Sequence, residues 1–294
     1  MQSGKIIKSI SGFYDVQLAS GEVVRTRARG NFRKQKIKPI VGDLVEFESA
    51  YLLAVKPRQN ALVRPPVANL DLAIVVMSAV EPDFSTNLLD RYLVYLAENQ
   101  IEAVIYLSKT DLLSDSQRAA IEDRLAVYRQ IGYTVCQNDG YDRSQLEALA
   151  SQQTLIVMGQ SGAGKSTLLN RLMPQLALET AQISSSLNRG KHTTRTVTLY
   201  PFGADGLIAD TPGFSSLDLS EIDPITLADD FLEFAQIAVN CRFRGCQHLQ
   251  EPDCAVKAAV ATGEIAQFRY DNYVQISQEL SHLRPVYRKS SKPN

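Results

Sequence analysis

Thr154-Leu-Ile-Val-Met-Gly159-Gln-Ser-Gly-Ala-Gly164-Lys-Ser-Thr-Leu-Leu-Asn-Arg-Leu172 is the stretch on which the fold turns. Its opening residues, Thr154–Met158, form an apolar run of the kind shown by a strand buried on both faces. From Ser166 onward the chain reads as the opening of a helix. Between the two, Gly159 to Ser166 fit G-x-x-x-x-G-K-[ST]. Glycines let the backbone curl until successive N–H groups face one point, and the helix N-terminus adds positive potential there. A mere Gly-rich turn needs neither flank, so the strand before and the helix after favour a phosphate loop. Gly159, Gln160, Ser161, Gly162, Ala163, Gly164, Lys165, Ser166 and Thr167 are therefore expected to wrap a nucleoside triphosphate. Lys165 should reach the β- and γ-phosphates as a catalytic group, and the Ser166 hydroxyl should ligate Mg²⁺.

Downstream, Asp210-Thr-Pro-Gly213 follows the apolar Leu207-Ile-Ala. An Asp at that strand end can hold Mg²⁺ through water, and the Gly213 N–H can reach the γ-phosphate. The polar stretch Gly190-Lys-His-Thr193-Thr194-Arg-Thr lies between, with Thr193 and Thr194 as candidates to complete the Mg²⁺ shell. Upstream, Ser108-Lys109-Thr110-Asp111 ends the apolar run Ala103–Leu107 and is similar to the N-K-x-D element of GTPases, with Ser108 in place of Asn. A carboxylate such as Asp111 accepts from guanine N1–H and the 2-amino group; adenine offers neither donor. The Lys109 stem can lie over the purine ring. This element precedes the phosphate loop instead of following it, the order of a circularly permuted GTPase domain. The element that touches guanine O6 should then lie near Cys136–Asn138, where the usual Ser-Ala pair is absent.

The surrounding chain suits that reading. Leu70–Met77, Ala103–Leu107, Tyr133–Cys136 and Thr154–Met158 read as strands, and Ser116–Gln130 as an amphipathic helix. Asn87 is expected to cap a helix carrying Leu88, Leu89, Tyr92, Leu93, Tyr95 and Leu96. Such alternation predicts a mostly parallel sheet with helices on both faces. Before it, short period-two strands with glycine turns predict a small β-barrel of the OB type. That segment concentrates Arg25, Arg27, Arg29, Arg33, Lys34, Lys36 and Lys38, and a phosphate backbone is the commonest partner of such a cluster. A solvated basic face is the plainer alternative.

Beyond about residue 217 the pattern turns helical around Cys241-Arg-Phe-Arg-Gly-Cys246-Gln-His248 and Cys254. The spacing C-x4-C-x-H-x5-C offers three thiolates and one imidazole, the donor set of a closed tetrahedral structural Zn²⁺ site. Buried unliganded cysteines or a redox pair are the alternatives.

The formal net charge of −1 hides a partition. Residues 1–65 sum to +7, residues 284–294 to +4, and the stretch between to −12. The apolar content excludes a mainly disordered chain. No signal-like or membrane-spanning run is visible, and few clustered cysteines argue against a disulfide framework, so a reducing cytoplasm is the expected compartment. Nothing demands a dimer, and a monomer with no membrane partner is expected.

Phosphate loop, Gly190-Lys-His-Thr-Thr, Asp210-Thr-Pro-Gly-Phe, Ser108–Asp111 and the Cys241–Cys254 cluster together resemble the ribosome small subunit-dependent GTPase A family. The resemblance spans essentially the whole chain. It implies an OB-fold β-barrel (1–63), a circularly permuted P-loop GTPase domain (64–217) and a helical zinc-binding domain (218–294). It also implies a factor of late small-subunit maturation that binds the subunit and its rRNA, uses GTP, GDP, Mg²⁺ and one structural Zn²⁺, and hydrolyses GTP faster when bound. Phe214 stands where Ras-like GTPases place the water-orienting Gln. His192 is the in-chain candidate for that task, as proposed for this family. The alternatives are an ATPase, a P-loop NTPase serving another RNA, and an RNA-binding assembly module for which nucleotide is a structural ligand.

Overall fold

A computed structural model of the chain describes residues 1–34, 36–138, 143–174, 197–210, 217–220 and 222–282. Strands β1 (Gln2–Ile10), β2 (Phe13–Gln17), β3 (Val23–Ala28), β4 (Leu44–Glu48) and β5 (Tyr51–Val55) pair antiparallel as β1–β2, β2–β3, β4–β5 and β1–β4. A parallel β3–β5 pair closes the ring, and helix α1 (Gly30–Lys34) lies between β3 and β4. This closed five-strand ring is the barrel that the period-two pattern predicts. Ile6, Val16, Val45, Phe47 and Leu52 fill it. Arg25, Arg27, Arg29, Lys34, Lys36 and Lys38 are exposed on its outside, Arg25 paired with Asp15 and Arg27 lying 4.2 Å from the Phe13 ring centroid.

A short hairpin, β6 (Ala61–Leu62) and β7 (Val67–Ala68), leads into the second sheet region. Here β8 (Leu72–Ser78), β9 (Glu102–Ser108), β10 (Thr134–Gln137), β11 (Thr154–Met158), β12 (Thr198–Phe202) and β13 (Gly206–Asp210) run in the order β10-β9-β8-β11-β13-β12. All neighbours are parallel except β12 with β13. Alternate residues of the central strands face opposite layers. Ala73, Val75, Met77, Ile105, Ile156 and Met158 pack under α2 (Thr86–Glu98) and α3 (Asp115–Ile131). Leu72, Ile74, Val76, Val104, Leu155 and Val157 pack under α4 (Arg143–Leu149) and α5 (Lys165–Leu172). Burying each of the larger of these side chains contributes about 1.5–3 kcal/mol.

The cap of α2 is Ser85, whose hydroxyl accepts from Leu88 N, and not Asn87 as the sequence suggests. Asn87 sits inside the helix and its side chain serves tertiary contacts: Oδ1 accepts from Arg91 Nε and Nδ2 donates to Gln275 Oε1. Ser114 starts α3 one position before Asp115, with a reciprocal capping box to Gln117.

Barrel and sheet form one hydrogen-bonded surface, joined where β1 meets β12 at Lys8 and Thr198. Beside this junction Lys5 Nζ donates to Thr154 Oγ1 (2.7 Å) at the foot of β11, and burial lowers the lysine pKa.

The remaining helices, α6 (Leu232–Ala238), α7 (Ala255–Thr262) and α8 (Gln267–His282), surround Phe231, Phe234, Tyr273 and Ile276. Helix α8 docks on α2 through a buried polar network. Arg269 gives its Nε and Nη2 to the Glu233 carboxylate (2.6 and 3.0 Å) and its Nη1 to Asp90 Oδ1. Asp90 also accepts from Tyr128 OH and Asn272 Nδ2, both at 2.6 Å. Among the described residues, no helix is long and apolar enough to cross a membrane.

Candidate functional site

Parallel pairing brings the carboxyl ends of β9, β11 and β13 to one edge of the sheet, where crevices of open α/β sheets form. Ser108 ends β9, Gly159 follows β11 and Asp210 ends β13. Three motifs distant in sequence thus share an edge.

The loop after β11 owes its path to glycine. Gly159 has φ +141°, and a Cβ there would lie 2.2 Å from the Val76 carbonyl oxygen of the neighbouring strand. Gly164 (φ +94°) is the residue from which α5 starts, so Lys165 and Ser166 occupy the first turn of that helix. Lys165 Nζ donates to the carbonyls of Gly159 and Gln160, both at 2.7 Å, and burial lowers its pKa. Ser161, Gly162, Ser166 and Thr167 are exposed along the loop and helix start, whereas Ala163 is buried. Asp210 has its carboxyl pKa raised by burial, which disfavours the charged form.

Ser108 is tied directly to this loop. Its buried hydroxyl donates to the Ala163 carbonyl at 2.6 Å, across two strand widths. Lys109 adopts a left-handed conformation (φ 57°), and its ammonium reaches the carbonyls of Val80 and Glu81. The turn that carries those carbonyls also flanks the phosphate loop, since a Cβ on Gly162 would stand 3.6 Å from Pro82. Thr110 is buried, and Asp111 is exposed with its Oδ1 accepting from Asn138 Nδ2 at 3.1 Å. The sequence places a base-facing element near Cys136–Asn138; the structure puts Asn138 beside Asp111 and buries Cys136, a residue of β10, in the core. The turn at Val80–Pro82 carries no motif and is not legible in the sequence. Its signal is positional, because it follows a central strand of the same parallel sheet.

His192, Thr193, Thr194, Gly213 and Phe214 lie outside the described residues, as does the basic segment 284–294. Of the barrel cluster, the Arg33 side chain is also outside them.

The second candidate centre is local. The ligand atoms of Cys241, Cys246, His248 and Cys254 lie within 4.8 Å of one another. Cys241 Sγ is 3.6 Å from His248 Nδ1 and 4.0 Å from Cys254 Sγ, and His248 Nδ1 is 3.2 Å from Cys254 Sγ. Tetrahedral Zn–S bonds of about 2.3 Å require sulfur–sulfur edges near 3.8 Å, so the donor set fits one closed Zn²⁺ site. Burial lowers the His248 pKa, which favours the neutral imidazole that coordinates metals. The bend is braced from outside: the Glu251 carboxylate accepts from the backbone of Gln247, Leu249 and Gln250, and Tyr270 OH donates to the His248 carbonyl. Cys136 takes no part.

Comparison with known proteins adds independent findings. The RsgA GTPase family profile matches residues 55–220, and the RsgA N-terminal domain profile matches residues 3–51. The small ribosomal subunit biogenesis GTPase RsgA of Latilactobacillus sakei is 52% identical over 99% of this chain and 100% of its own length. Its counterpart in Enterococcus faecalis is 52% identical over 98% of both chains. Among solved structures, YloQ, described as a circularly permuted GTPase, superposes with a TM-score of 0.82 at 41% identity, covering 98% of this chain and 97% of its own. YjeQ from Thermotoga maritima also gives 0.82, at 32% identity over 96% and 99%.

Proposed function

The chain belongs to the RsgA GTPase family and hydrolyses GTP, and from that premise we propose that it acts in maturation of the small ribosomal subunit, with the subunit stimulating its turnover. The observation that carries the proposal is similarity over nearly the whole chain to relatives named for small-subunit biogenesis. The exposed basic side of the barrel supports an rRNA contact through Arg25, Arg27, Arg29, Arg33, Lys34, Lys36 and Lys38, by salt-sensitive phosphate neutralisation. The same reading divides the chain at 63/64 and 217/218 and has it work as a monomer in the cytoplasm.

In this reading Ser108–Asp111 takes the guanine base and Gly159–Thr167 the phosphates. Asp111 supplies the carboxylate for N1–H and the 2-amino group, while Lys109 lies along the purine. Loop amides and Lys165 neutralise the charge that grows on the phosphate oxygens as the γ-phosphoryl leaves. Ser166 and Asp210, an alcohol and a carboxylate, are the oxygen donors that suit Mg²⁺. Thr193, Thr194 and Gly213 complete the phosphate and Mg²⁺ contacts, and His192 orients water in place of a glutamine. One Zn²⁺ held by Cys241, Cys246, His248 and Cys254 has a structural task, because a four-ligand site leaves no position for substrate.

Multiple-turnover phosphate release tests the proposal, with purified small and large ribosomal subunits added separately. Small subunits should raise the rate and large subunits should not. Equal response to both, or to neither, overturns the ribosomal reading.

A further inference from the structure

We propose that Asn138 is a positioning residue that sets base specificity, by holding the Asp111 carboxylate edge-on to the guanine. The inference rests on the reading of Asp111 as the base-facing group.

Asn138 directly follows β10, and its backbone N donates to the Leu107 carbonyl (3.1 Å), which pins it beside the end of β9. Its side-chain Oδ1 accepts twice, from Thr110 N at 2.9 Å and from Thr110 Oγ1 at 2.6 Å. Two donors on one atom identify it as the oxygen, so the amide nitrogen faces the other way. That nitrogen, Nδ2, donates to Asp111 Oδ1 at 3.1 Å. The Asn138 carbonyl in turn accepts from Arg171 on α5, the helix that begins in the phosphate loop. One residue therefore meets both halves of the site.

The chemistry explains why such a hold matters. A carboxylate that must accept from N1–H and the adjacent exocyclic 2-amino group has to lie in the plane of the base with both oxygens forward. Asp111 is exposed, and an unrestrained exposed carboxylate rotates freely. A donor on one lone pair of Oδ1 fixes the plane and leaves Oδ2 and the second lone pair of Oδ1 for the ligand. Ordering the group beforehand removes that entropic cost from binding. The primary amide thereby meets the need at a place where the usual Ser-Ala pair is missing.

The test compares binding of GDP, inosine diphosphate (which lacks the 2-amino group) and ADP to full-length protein carrying Asn138→Ala or Asn138→Asp. The second variant is nearly isosteric and can still accept from Thr110, but at neutral pH it gives Asp111 no donor. The preference for GDP over inosine diphosphate should fall about tenfold in both variants, the scale of one charge-assisted hydrogen bond. ADP binding should not move, and the melting temperature of Asn138→Asp should return to the parent's as the pH falls toward 5. Lowering the pH toward 5 should restore the preference in Asn138→Asp but not in Asn138→Ala, because a shared proton rebuilds the hydrogen bond between the two carboxyls. An unchanged GDP preference in Asn138→Asp overturns the proposal. Asp111→Asn is the control and should shift preference toward xanthosine diphosphate. If it does not, the guanine reading of Asp111 fails and this inference with it. If it does while Asn138→Asp behaves as the parent, only the role of Asn138 falls.

Discussion

The nucleotide edge and the cysteine–histidine bend solve the same problem by opposite means. The edge gathers Ser108, Gly159 and Asp210 from distant parts of the chain, and the sheet's hydrogen bonds hold them in place. The bend takes all its ligands from Cys241 to Cys254, within a segment that has little regular structure. Order at the edge is thus a property of the whole fold, whereas order at the bend is local, drawn from its four side chains and the Glu251 and Tyr270 hydrogen bonds around them. Permuting the chain leaves the edge intact, since strand adjacency and not sequence order assembles it. No such rearrangement of the bend would keep its geometry.

Metal removal attacks that difference most directly. Structural zinc contributes about 10–16 kcal/mol in small zinc peptides at neutral pH. Cys254→Ala, or a strong chelator, should therefore unfold α6 to α8, seen as lost hydrogen-exchange protection across 232–282. GDP affinity should stay within about tenfold, because the edge does not draw on that segment. Collapse of both together would show that the two regions are one cooperative unit.

Gly159→Ala is the reciprocal blow. A Cβ at 2.2 Å from the Val76 carbonyl cannot be absorbed without moving a central strand, so GDP affinity should drop by at least about a hundredfold. Isothermal titration measures it, and protection across 232–282 should persist. A smaller loss would mean that the loop is adaptable and that its order is not the sheet's.

Arg269→Ala probes the link between the two regions. It leaves Asp90 buried with its charge uncompensated, for which about 3–5 kcal/mol of destabilisation is expected in chemical denaturation. Arg269→Lys should rescue little, since one ammonium cannot reach both Asp90 and Glu233 as the guanidinium does.

The smallest expected effect concerns Asp230, whose pKa burial, with Glu98 and Asp229 nearby, raises to about 7. Its Oδ2 is buried and finds no hydrogen-bond partner among the described residues. The native state holds this proton more tightly than the unfolded chain, so stability contributed by the neutral form is lost as pH rises from about 4 to about 7. Asp230→Asn should accordingly raise the melting temperature at pH 8 by a few degrees and have little effect at pH 4. An equal shift at both pH values would remove the titration as its cause.

What was legible in the sequence follows the range of the interactions. Period-two alternation reported the barrel strands, and continuous apolar runs reported the buried parallel strands, because burial acts on each residue in turn. The Gly159–Ser166 loop and the Cys241–Cys254 spacing were readable because their geometry is local. Asn138 was placed near the base element only by chain order. Its hydrogen bonds to Thr110 and Asp111 cross 28 and 27 positions, and nothing in the local composition encodes them. Asn87 misled for a related reason: it has a good capping side chain, but that side chain is engaged by Arg91 and by α8. Arg269 carries no local signal in the sequence, because its partners Asp90 and Glu233 are distant along the chain, yet it is among the most buried side chains of the described residues.

One connection bears on how the ends of the molecule communicate. The barrel is stitched to the nucleotide sheet at Lys8 and Thr198, and Thr198 opens the strand β12, four positions after Thr194. From β12 the chain turns into β13 and reaches Asp210. Mechanically, the barrel is a handle fastened to β12, the strand paired with the one that ends in Asp210. Force applied to the barrel is passed through β12 to its partner β13, the strand that ends at Asp210, without any contact to the nucleotide.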